Sequence, residues 1–264
     1  MNNALVSTMS ESEYRSLPAL NASRFKAFFR SPFHFRNQKE VETTEAMKIG
    51  TAIHTAMLQP EDYLKTIAYY PDVDGRTKEG KAIKQAFEEG AIGKTILKAD
   101  SEAVVARAIN AIRMNSDWQR MNSQASVRTE VVLLGKLFGI DCKARLDIID
   151  IENGIIRDIK SCDDVSGAKF KYTVKDRMYW VQAGFYCLLA EEVYKRPFRF
   201  EFIAVETSEP STCAFWEVEP TELFKWMNEV KRKLHDYSDC KHSDFWEGPQ
   251  GGVLGELNIN YGSL

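Results

Sequence analysis

Residues 155–164, IIRDIKSCDD, place an aspartate and a lysine inside a segment whose apolar residues are typical of a buried strand. Side chains alternate across a strand, so Asp158 and Lys160 share one face while Ile159 points to the other. Charged side chains are seldom fully buried unless they are paired or used in chemistry. This pair is therefore the first candidate for a functional site.

The strand before this segment adds a carboxylate to the same face. Asn153-Gly154 between two apolar runs predicts a β-hairpin. A two-residue turn sets Asp147 opposite Lys160, whereas a four-residue loop sets it opposite Asp158. Both registers keep the three side chains on one face, because only a shift by an odd number of residues exchanges the faces.

A second predicted turn, at Gly135-Lys136, extends this face and sets Glu130 opposite Asp141. The predicted polar face then carries four side chains: Glu130, Asp147, Asp158 and Lys160. Three converging carboxylates repel one another unless a cation holds them. Oxygen ligands of this kind suit Mg²⁺, with Mn²⁺ as a substitute.

A lysine beside carboxylates indicates a hydrolytic reaction. Lys160 can orient or help deprotonate an attacking water, or stabilise negative charge in a phosphoryl transition state. Together these residue types indicate metal-assisted phosphodiester hydrolysis. An aspartate and a lysine two residues apart also occur on ordinary solvated strand faces, so the independent placement of Asp147 is essential to the prediction.

The elements that must position these residues change character near Val127. Residues 1–125 are predicted to be mostly helical and residues 126–264 to form an α/β core, within one domain spanning 1–264. The patterns before Val127 predict a helix capped by Asn21 or Ser23 that stops near Pro32, one capped by Thr43 or Thr44, one beginning at about Gly80, and one capped by Ser101. Residues 128–162 are predicted to form three strands joined by the two turns, and a mostly apolar helix, two further strands and a final amphipathic helix follow.

Composition limits the classes of protein to consider. The 264 residues carry a net charge of −3, so any nucleic-acid contact must come from local basic patches. The five cysteines are scattered with no CxxC pair, which favours reduced thiols and argues against an iron–sulfur cluster. Without a signal-peptide pattern or an apolar run of about 20 residues, we expect a cytoplasmic protein without membrane contact.

Several motifs resemble those of the PD-(D/E)xK nuclease superfamily, here as Asp147 followed by RDIK. The chain is more closely similar to the RecE-type exonucleases (exonuclease VIII) of phages and prophages, over LNASRFKAFFRSPFHFR, KIGTAIHTAMLQPEDY, YPDVDGRTKEGK, GIDCKARLDIID and YWVQAGFYCLL. The resemblance implies an α/β (α+β) fold with a restriction-endonuclease-like core. In that core a central mixed sheet is flanked by helices, and a helical N-terminal part precedes it.

The resemblance also implies roles for further residues. A helical histidine, here His54, would complete a site for two Mg²⁺ ions with Asp147, Asp158 and the Ile159 carbonyl. Gln182 and Tyr186 match a QxxxY motif, and Glu130 matches an additional acidic position. From the residues alone, His54 could instead be a buried histidine bonded to a backbone carbonyl. Gln182 and Tyr186 could instead form a polar stripe on a core helix.

The activity implied by the resemblance is processive 5′→3′ digestion of one strand of linear double-stranded DNA, which leaves a 3′ single-stranded tail. Such enzymes form homo-oligomeric rings, here with a tetramer favoured over a trimer. A RecT-like single-strand annealing protein would take over the tail for recombination. The location implied is the cytoplasm of a bacterial host cell.

Basic residues supply candidate DNA contacts. Arg30 with Ser23 or Ser31 could anchor a 5′-phosphate, because the guanidinium fork matches phosphate oxygens. Arg145 lies on the polar strand face. Further basic residues form three clusters, the first with phenylalanines interleaved: Arg24, Lys26, Arg30 and Arg36; Arg76, Lys78 and Lys81; and Lys169, Lys171, Lys175 and Arg177.

Three other functions remain open from sequence. A RecB-like or CRISPR-associated nuclease with a four-cysteine iron–sulfur cluster is disfavoured by the scattered cysteines. Another PD-(D/E)xK endonuclease would cut a covalently closed duplex, which an exonuclease leaves intact. A catalytically inactive DNA-binding scaffold would bind DNA and show no metal-dependent digestion.

Overall fold

The computed structural model describes residues 4–6, 9–39 and 42–249. Eight strands and eleven α-helices, with a 3₁₀ turn at Pro60–Asp62, make up these residues. Their order along the chain is β1 (Ala4–Val6), α1 (Glu11–Ser16), α2 (Ala22–Arg30), α3 (Pro32–Arg36), α4 (Glu45–Leu58), α5 (Tyr63–Thr66), β2 (Ile67–Tyr69), α6 (Lys78–Gly90), β3 (Thr95–Leu97), α7 (Ser101–Met114), α8 (Ser116–Asn122), β4 (Val127–Leu137), β5 (Ile140–Asp150), β6 (Ile155–Cys162), α9 (Gly167–Asp176), α10 (Tyr179–Tyr194), β7 (Arg199–Glu206), β8 (Cys213–Glu217) and α11 (Pro220–Ser243).

A mixed six-stranded sheet in the order β1-β4-β5-β6-β7-β8 is the centre of the fold. Neighbouring strands are antiparallel except for β6 and β7, which are parallel. Parallel neighbours need a crossover connection, and α9 and α10 supply it. The predicted central mixed sheet flanked by helices is confirmed. Strands β2 and β3 form a separate parallel pair.

Two hydrophobic cores lie on opposite faces of β6 and β7. In β6, Ile156 packs into a core with α2, α10 and α11, while Ile159 packs into a core with α4 and α7. Helix α10 is apolar on all sides, as expected for a helix surrounded by protein. The sheet is thus covered by helices on both faces, and charged residues on β5 and β6 lie in an enclosed environment.

The loop between β5 and β6 settles the register of the hairpin. Asp150 pairs with Ile155, so the connection has four residues, and of the two registers considered the structure has the four-residue loop and not the two-residue turn. The buried Asp150 carboxylate accepts hydrogen bonds from the Asn153 backbone N–H and side-chain amide, at 3.1 and 2.7 Å. This side-chain-stabilised loop outcompetes the tight Asn-Gly turn. The same register sets Asp147 opposite Asp158.

The predicted turn at Gly135-Lys136 is wrong. Strand β4 continues to Leu137, and the chain turns at Phe138-Gly139, where both residues have positive φ, at 51° and 79°. Such a turn matches the twist of the flanking strands, although a bulky residue rarely adopts this conformation. Glu130 consequently lies opposite Asp147 instead of Asp141, in line with the pairs on either side of it.

The helix boundaries follow their capping residues. Asn21 caps α2, which ends before Pro32, and Thr44 caps α4. Helix α6 begins at Lys78, two residues earlier than predicted, because Thr77 caps it. Ser101 is the first residue of α7 instead of its cap, and its hydroxyl donates to the Glu45 carboxylate at 2.7 Å. Among the described residues, no helix combines the length and hydropathy needed to cross a membrane.

Candidate active site

Asp147 and Asp158 lie where strands β5 and β6 part. Regular pairing between the two strands ends at the pair formed by Ile148 and Arg157, and the two aspartates are the next residues beyond that pair. The Ile159 backbone N–H donates to Asp147 Oδ2 at 2.8 Å, so a side-chain oxygen takes the place of a backbone acceptor. The parting of the strands therefore leaves room for functional groups while holding the two carboxylates side by side.

Lys160 lies against the Asp158 carboxylate on the same face of β6. Its ammonium group forms an ion pair with Asp158 Oδ2, and only 1% of Asp158 is exposed. Burial lowers the pKa of Lys160, but the Asp158 and Asp147 carboxylates outweigh that effect and the net shift is upward. Lys160 therefore remains a cation and can interact with a negatively charged group.

His54 reaches this cluster from α4. Its Nε2 donates to the Ile159 carbonyl at 2.7 Å, and its Nδ1 lies 3.3 Å from Asp147 Oδ2. Burial and the nearby Lys160 ammonium lower the pKa of His54. The structure therefore includes the histidine-to-carbonyl bond expected for a buried structural histidine. It also brings together the four groups predicted to hold metal: His54, Asp147, Asp158 and the Ile159 carbonyl.

The acidic residues oppose one another's ionisation. Burial and the neighbouring Asp158 raise the pKa of Asp147 well above its usual value. Burial and Asp147 likewise raise the pKa of Glu130, despite its contact with Arg145. Three carboxylates whose negative charges repel one another form a site that a bound cation would stabilise.

Two residues of α10 face Asp158 from the other side. Gln182 Nε2 donates to Asp158 Oδ1 at 2.6 Å. Tyr186 lies one turn along α10 from Gln182, and burial raises the pKa of Tyr186 well above its usual value. The spacing of four residues places both side chains on one helical face. Gln182 orients the Asp158 carboxylate.

Arg145 is engaged within the protein. Its Nε donates to the Glu130 carboxylate, and both side chains are largely buried. Its Nη2 lies 3.5 Å from the Gln59 side-chain oxygen. Glu130 has a left-handed backbone conformation, with φ of 53°, which is uncommon for a residue other than glycine. Contact between Arg145 and DNA would require release of this ion pair.

The other predicted DNA-binding residues lie on α2, at the start of α3, and on α6 and the loop before it. Ser31 is buried and caps α3, with its hydroxyl 2.7 Å from His34 Nδ1, whereas Ser23 and Arg30 are exposed. Arg76 pairs with Asp74 on an exposed loop, and the side chains of Lys78 and Lys81 are exposed. Within the described ranges, no hydrogen bond or ion pair connects these side chains to Asp147, Asp158 or Lys160.

Sequence reasoning did not single out Lys26 and Tyr179 as members of the site. The ammonium groups of Lys26 and Lys160 lie 5.0 and 4.7 Å from the centre of the Tyr179 ring. Lys26 was visible only as one member of a basic cluster, and Tyr179 only as part of an apolar helix. Their proximity depends on the packing of α2 against α10, which no local pattern encodes.

The donor set fits a hard divalent cation. Two carboxylates, a main-chain carbonyl and an imidazole suit Mg²⁺ or Mn²⁺. Asp158 Oδ2 is buried and accepts no hydrogen bond, although it forms an ion pair with Lys160. In the part of the chain that the structure describes, no three His, Cys, Asp or Glu side chains are already arranged around an ion position. Binding would therefore require these side chains to exchange their present partners.

Comparisons with known proteins agree with this architecture. A crystal structure of a protein from Eubacterium rectale, provisionally described as an exonuclease, has a similar fold, with a TM-score of 0.65 and 15% identity over 96% of both chains. The crystal structure of SSO0001 gives a TM-score of only 0.32 at 14% identity, covering 73% of this chain and 88% of that one. No curated protein matches the sequence. Residues 21–253 match the family described as a PDDEXK-like domain of unknown function, and the chain belongs to this family.

Proposed function

We propose that this protein is a metal-dependent nuclease that hydrolyses DNA phosphodiester bonds. The observation that carries the proposal is the cluster of Asp147, Asp158 and Lys160 at the parting of β5 and β6, with His54 beside it. Membership in the PDDEXK-like family supports the same chemistry. The exonuclease description of the Eubacterium rectale protein is consistent with it.

Each residue has a part in the proposed reaction. Two bound Mg²⁺ ions, or Mn²⁺ as a substitute, would supply Lewis acidity and an activated water. His54, Asp147, Asp158 and the Ile159 carbonyl provide the ligands. Lys160 orients the attacking water or stabilises charge on the phosphoryl group. Gln182 keeps the Asp158 carboxylate in place, and Tyr186 lies one turn further along the same helix.

We further propose the RecE-type form of this activity. The protein would digest one strand of linear duplex DNA processively from 5′ to 3′ and leave a 3′ tail. It would act as a homo-oligomeric ring, with a tetramer favoured over a trimer, and deliver the tail to a RecT-like annealing protein. Support for these features comes from the motif resemblance, including KIGTAIH, RDIK and QxxxY, and from the fold.

Digestion of end-labelled DNA tests the proposal. Linear duplex labelled at the 5′ or the 3′ end is incubated with wild type, Lys160→Ala and Asp147→Asn, in Mg²⁺ and in EDTA. We expect Mg²⁺-dependent release of the 5′ label as mononucleotide, with activity reduced by at least about a hundredfold in both variants. Lys136→Ala and Asp141→Asn are matched controls, because these residues form a solvent-exposed ion pair on the same hairpin.

The same assay separates the alternatives. Cutting of a covalently closed duplex would identify an endonuclease and remove the proposed exonuclease specificity. Release of the 3′ label first would contradict the polarity. Binding of DNA without cleavage under Mg²⁺ or Mn²⁺ would overturn the catalytic assignment and identify a DNA-binding scaffold.

A further inference from the structure

Tyr179, the first residue of α10, has a lysine ammonium group near its ring from each of two elements. Lys160 of β6 lies 4.7 Å from the ring centre and Lys26 of α2 lies 5.0 Å from it. Both distances are within the range of a cation–π interaction. The ring therefore links the proposed catalytic lysine to a second cation that the proposed reaction does not use.

Lys26 has spare capacity to bind an anion. Its ammonium group donates to the Arg177 backbone carbonyl at 3.1 Å. An ammonium group has three N–H donors. Within the described parts of the chain, no carboxylate lies within ion-pair distance of Lys26, whereas Lys160 is paired with Asp158. Burial and the neighbouring Lys160 ammonium lower the pKa of Lys26 to about 8, so an anion bound at Lys26 would offset that repulsion.

A purely structural role would explain only part of this arrangement. Arg177 follows the last residue of α9, so a cation at its carbonyl stabilises the end of that helix. That role needs an ammonium group at the carbonyl and does not require the group to lie against the Tyr179 ring, which Lys160 also contacts. The placement of Lys26 beside the candidate catalytic lysine requires a further explanation.

We propose that Lys26, positioned by the Tyr179 ring, binds a backbone phosphate of the DNA strand being cleaved, beside the phosphate that Lys160 faces. An ammonium group is a compact charge that can meet a phosphate oxygen without demanding a fixed planar geometry. The site would recognise the backbone of the strand and not its bases. This inference rests on the proposed nuclease function and deepens it by assigning a second phosphate contact.

Binding without cleavage is the first test, and it uses EDTA to prevent hydrolysis. Affinity of wild type and Lys26→Gln for a short duplex with a 5′ overhang is measured over a series of salt concentrations. We expect Lys26→Gln to bind about five- to tenfold more weakly at low salt. The slope of log affinity against log salt should fall by about 0.7–0.9, the value for one lost phosphate contact.

Controls distinguish charge from structure. Lys26→Arg should restore the salt slope, and Tyr179→Phe should leave it unchanged because the ring remains. Lys225→Gln is a matched control, since Lys225 is an exposed lysine on α11 paired with Glu222. If Lys26→Gln is poorly folded, Lys26→Met retains the apolar stem and loses the charge. Weak binding that Lys26→Arg does not restore would indicate a structural role only and overturn the proposal.

Kinetics separates failure of this inference from failure of the proposed function. In Mg²⁺, Lys26→Gln should raise KM by about five- to tenfold with little change in kcat, as expected for binding energy shared by ground and transition states. If wild type cleaves DNA and Lys26→Gln has unchanged KM and salt slope, the inference alone is wrong. If wild type neither binds nor cleaves DNA, the proposed function fails and the inference fails with it.

Discussion

At the scale of single residues, Asp147 has several competing interactions. Its carboxylate accepts the Ile159 N–H and lies beside the His54 ring, while burial and Asp158 oppose its ionisation. Metal ligands are commonly arranged in this way, because a group that is unfavourable alone becomes favourable when a cation arrives. The unfavourable ionisation of this carboxyl should lower the stability of the metal-free protein, which unfolding experiments can measure.

We expect Asp147→Asn to stabilise the metal-free protein at neutral pH while abolishing cleavage. Asparagine retains an acceptor for the Ile159 N–H but removes a carboxyl whose ionisation is opposed by burial and by Asp158. The expected gain is about 1–2 kcal/mol, which raises the melting temperature by roughly 2–6 °C. Thermal unfolding in EDTA measures it, with Asp141→Asn on the same strand as control. A loss of stability in Asp147→Asn alone would contradict the electrostatic argument.

The sign of the pH dependence follows from the direction of the Asp147 shift. A carboxyl whose pKa is raised on folding binds its proton more tightly in the folded state. Below the ordinary pKa of an aspartate, Asp147 is protonated in both the folded and the unfolded state, so its raised pKa costs no stability there. Stability is then lost as pH rises from that value through the raised pKa. The difference in stability between wild type and Asp147→Asn should therefore shrink as pH falls toward 4.

At the scale of secondary-structure elements, helix α4 must hold His54 against β6. Thr44 caps the helix, its hydroxyl accepting the Met47 N–H at 3.3 Å. Two residues on the buried face, Ala52 and Ile53, fix the position of the helix against the sheet. The orientation of the His54 ring toward the Ile159 carbonyl therefore depends on where this helix begins and how it packs.

Removal of the cap should weaken α4. Thr44→Ala loses one hydrogen bond to an otherwise unpaired helix N–H, which typically costs about 1 kcal/mol. We expect a lower melting temperature in thermal unfolding. Thr51→Ala in the same helix is the matched control, because the Thr51 hydroxyl only bonds back to the Met47 carbonyl and alanine is the better helix former. Equal destabilisation by both substitutions would show that the cap itself is unimportant.

The strands show what sequence patterns can and cannot predict. Alternation of polar and apolar residues placed Asp147, Asp158 and Lys160 on one face, because that result survives any even change in loop length. Which residues lie opposite one another depends on the turns: the sequence left two loop lengths open between β5 and β6 and misplaced the turn between β4 and β5. Asp150 stabilises a four-residue loop, and Phe138 adopts a left-handed conformation despite its bulk. Both turns are therefore decided by specific side-chain bonds and strand twist, beyond the reach of dipeptide preference.

At the scale of the whole molecule, the order of the longer helices and of strands β4 to β8 was predictable, whereas the short strands β1, β2 and β3 and the meeting of distant elements were not. The candidate site draws on α4, β4, β5, β6 and α10, and only β4, β5 and β6 are joined along the chain by short turns. Only the family resemblance assigned His54 and Gln182 to the site, because no local sequence pattern did so. Lys26 was named only as one residue of a basic cluster and Tyr179 only as part of an apolar helix, since their contact results from the packing of α2 beside α10. Long-range packing is the information that the linear pattern lacks.

Because several elements converge on one ligand set, metal binding should stabilise the entire fold. A ligand that binds only the folded state, at ten times its Kd, adds about 1.4 kcal/mol. We therefore expect Mg²⁺ or Mn²⁺ to raise the melting temperature of wild type by roughly 3–5 °C, and EDTA to reverse the change. The double variant Asp147→Asn/Asp158→Asn should show no such rise, and the exposed-residue variant Asp141→Asn should respond as wild type. An equal rise in the double variant would place the bound ions elsewhere and remove the metal-binding role of these aspartates.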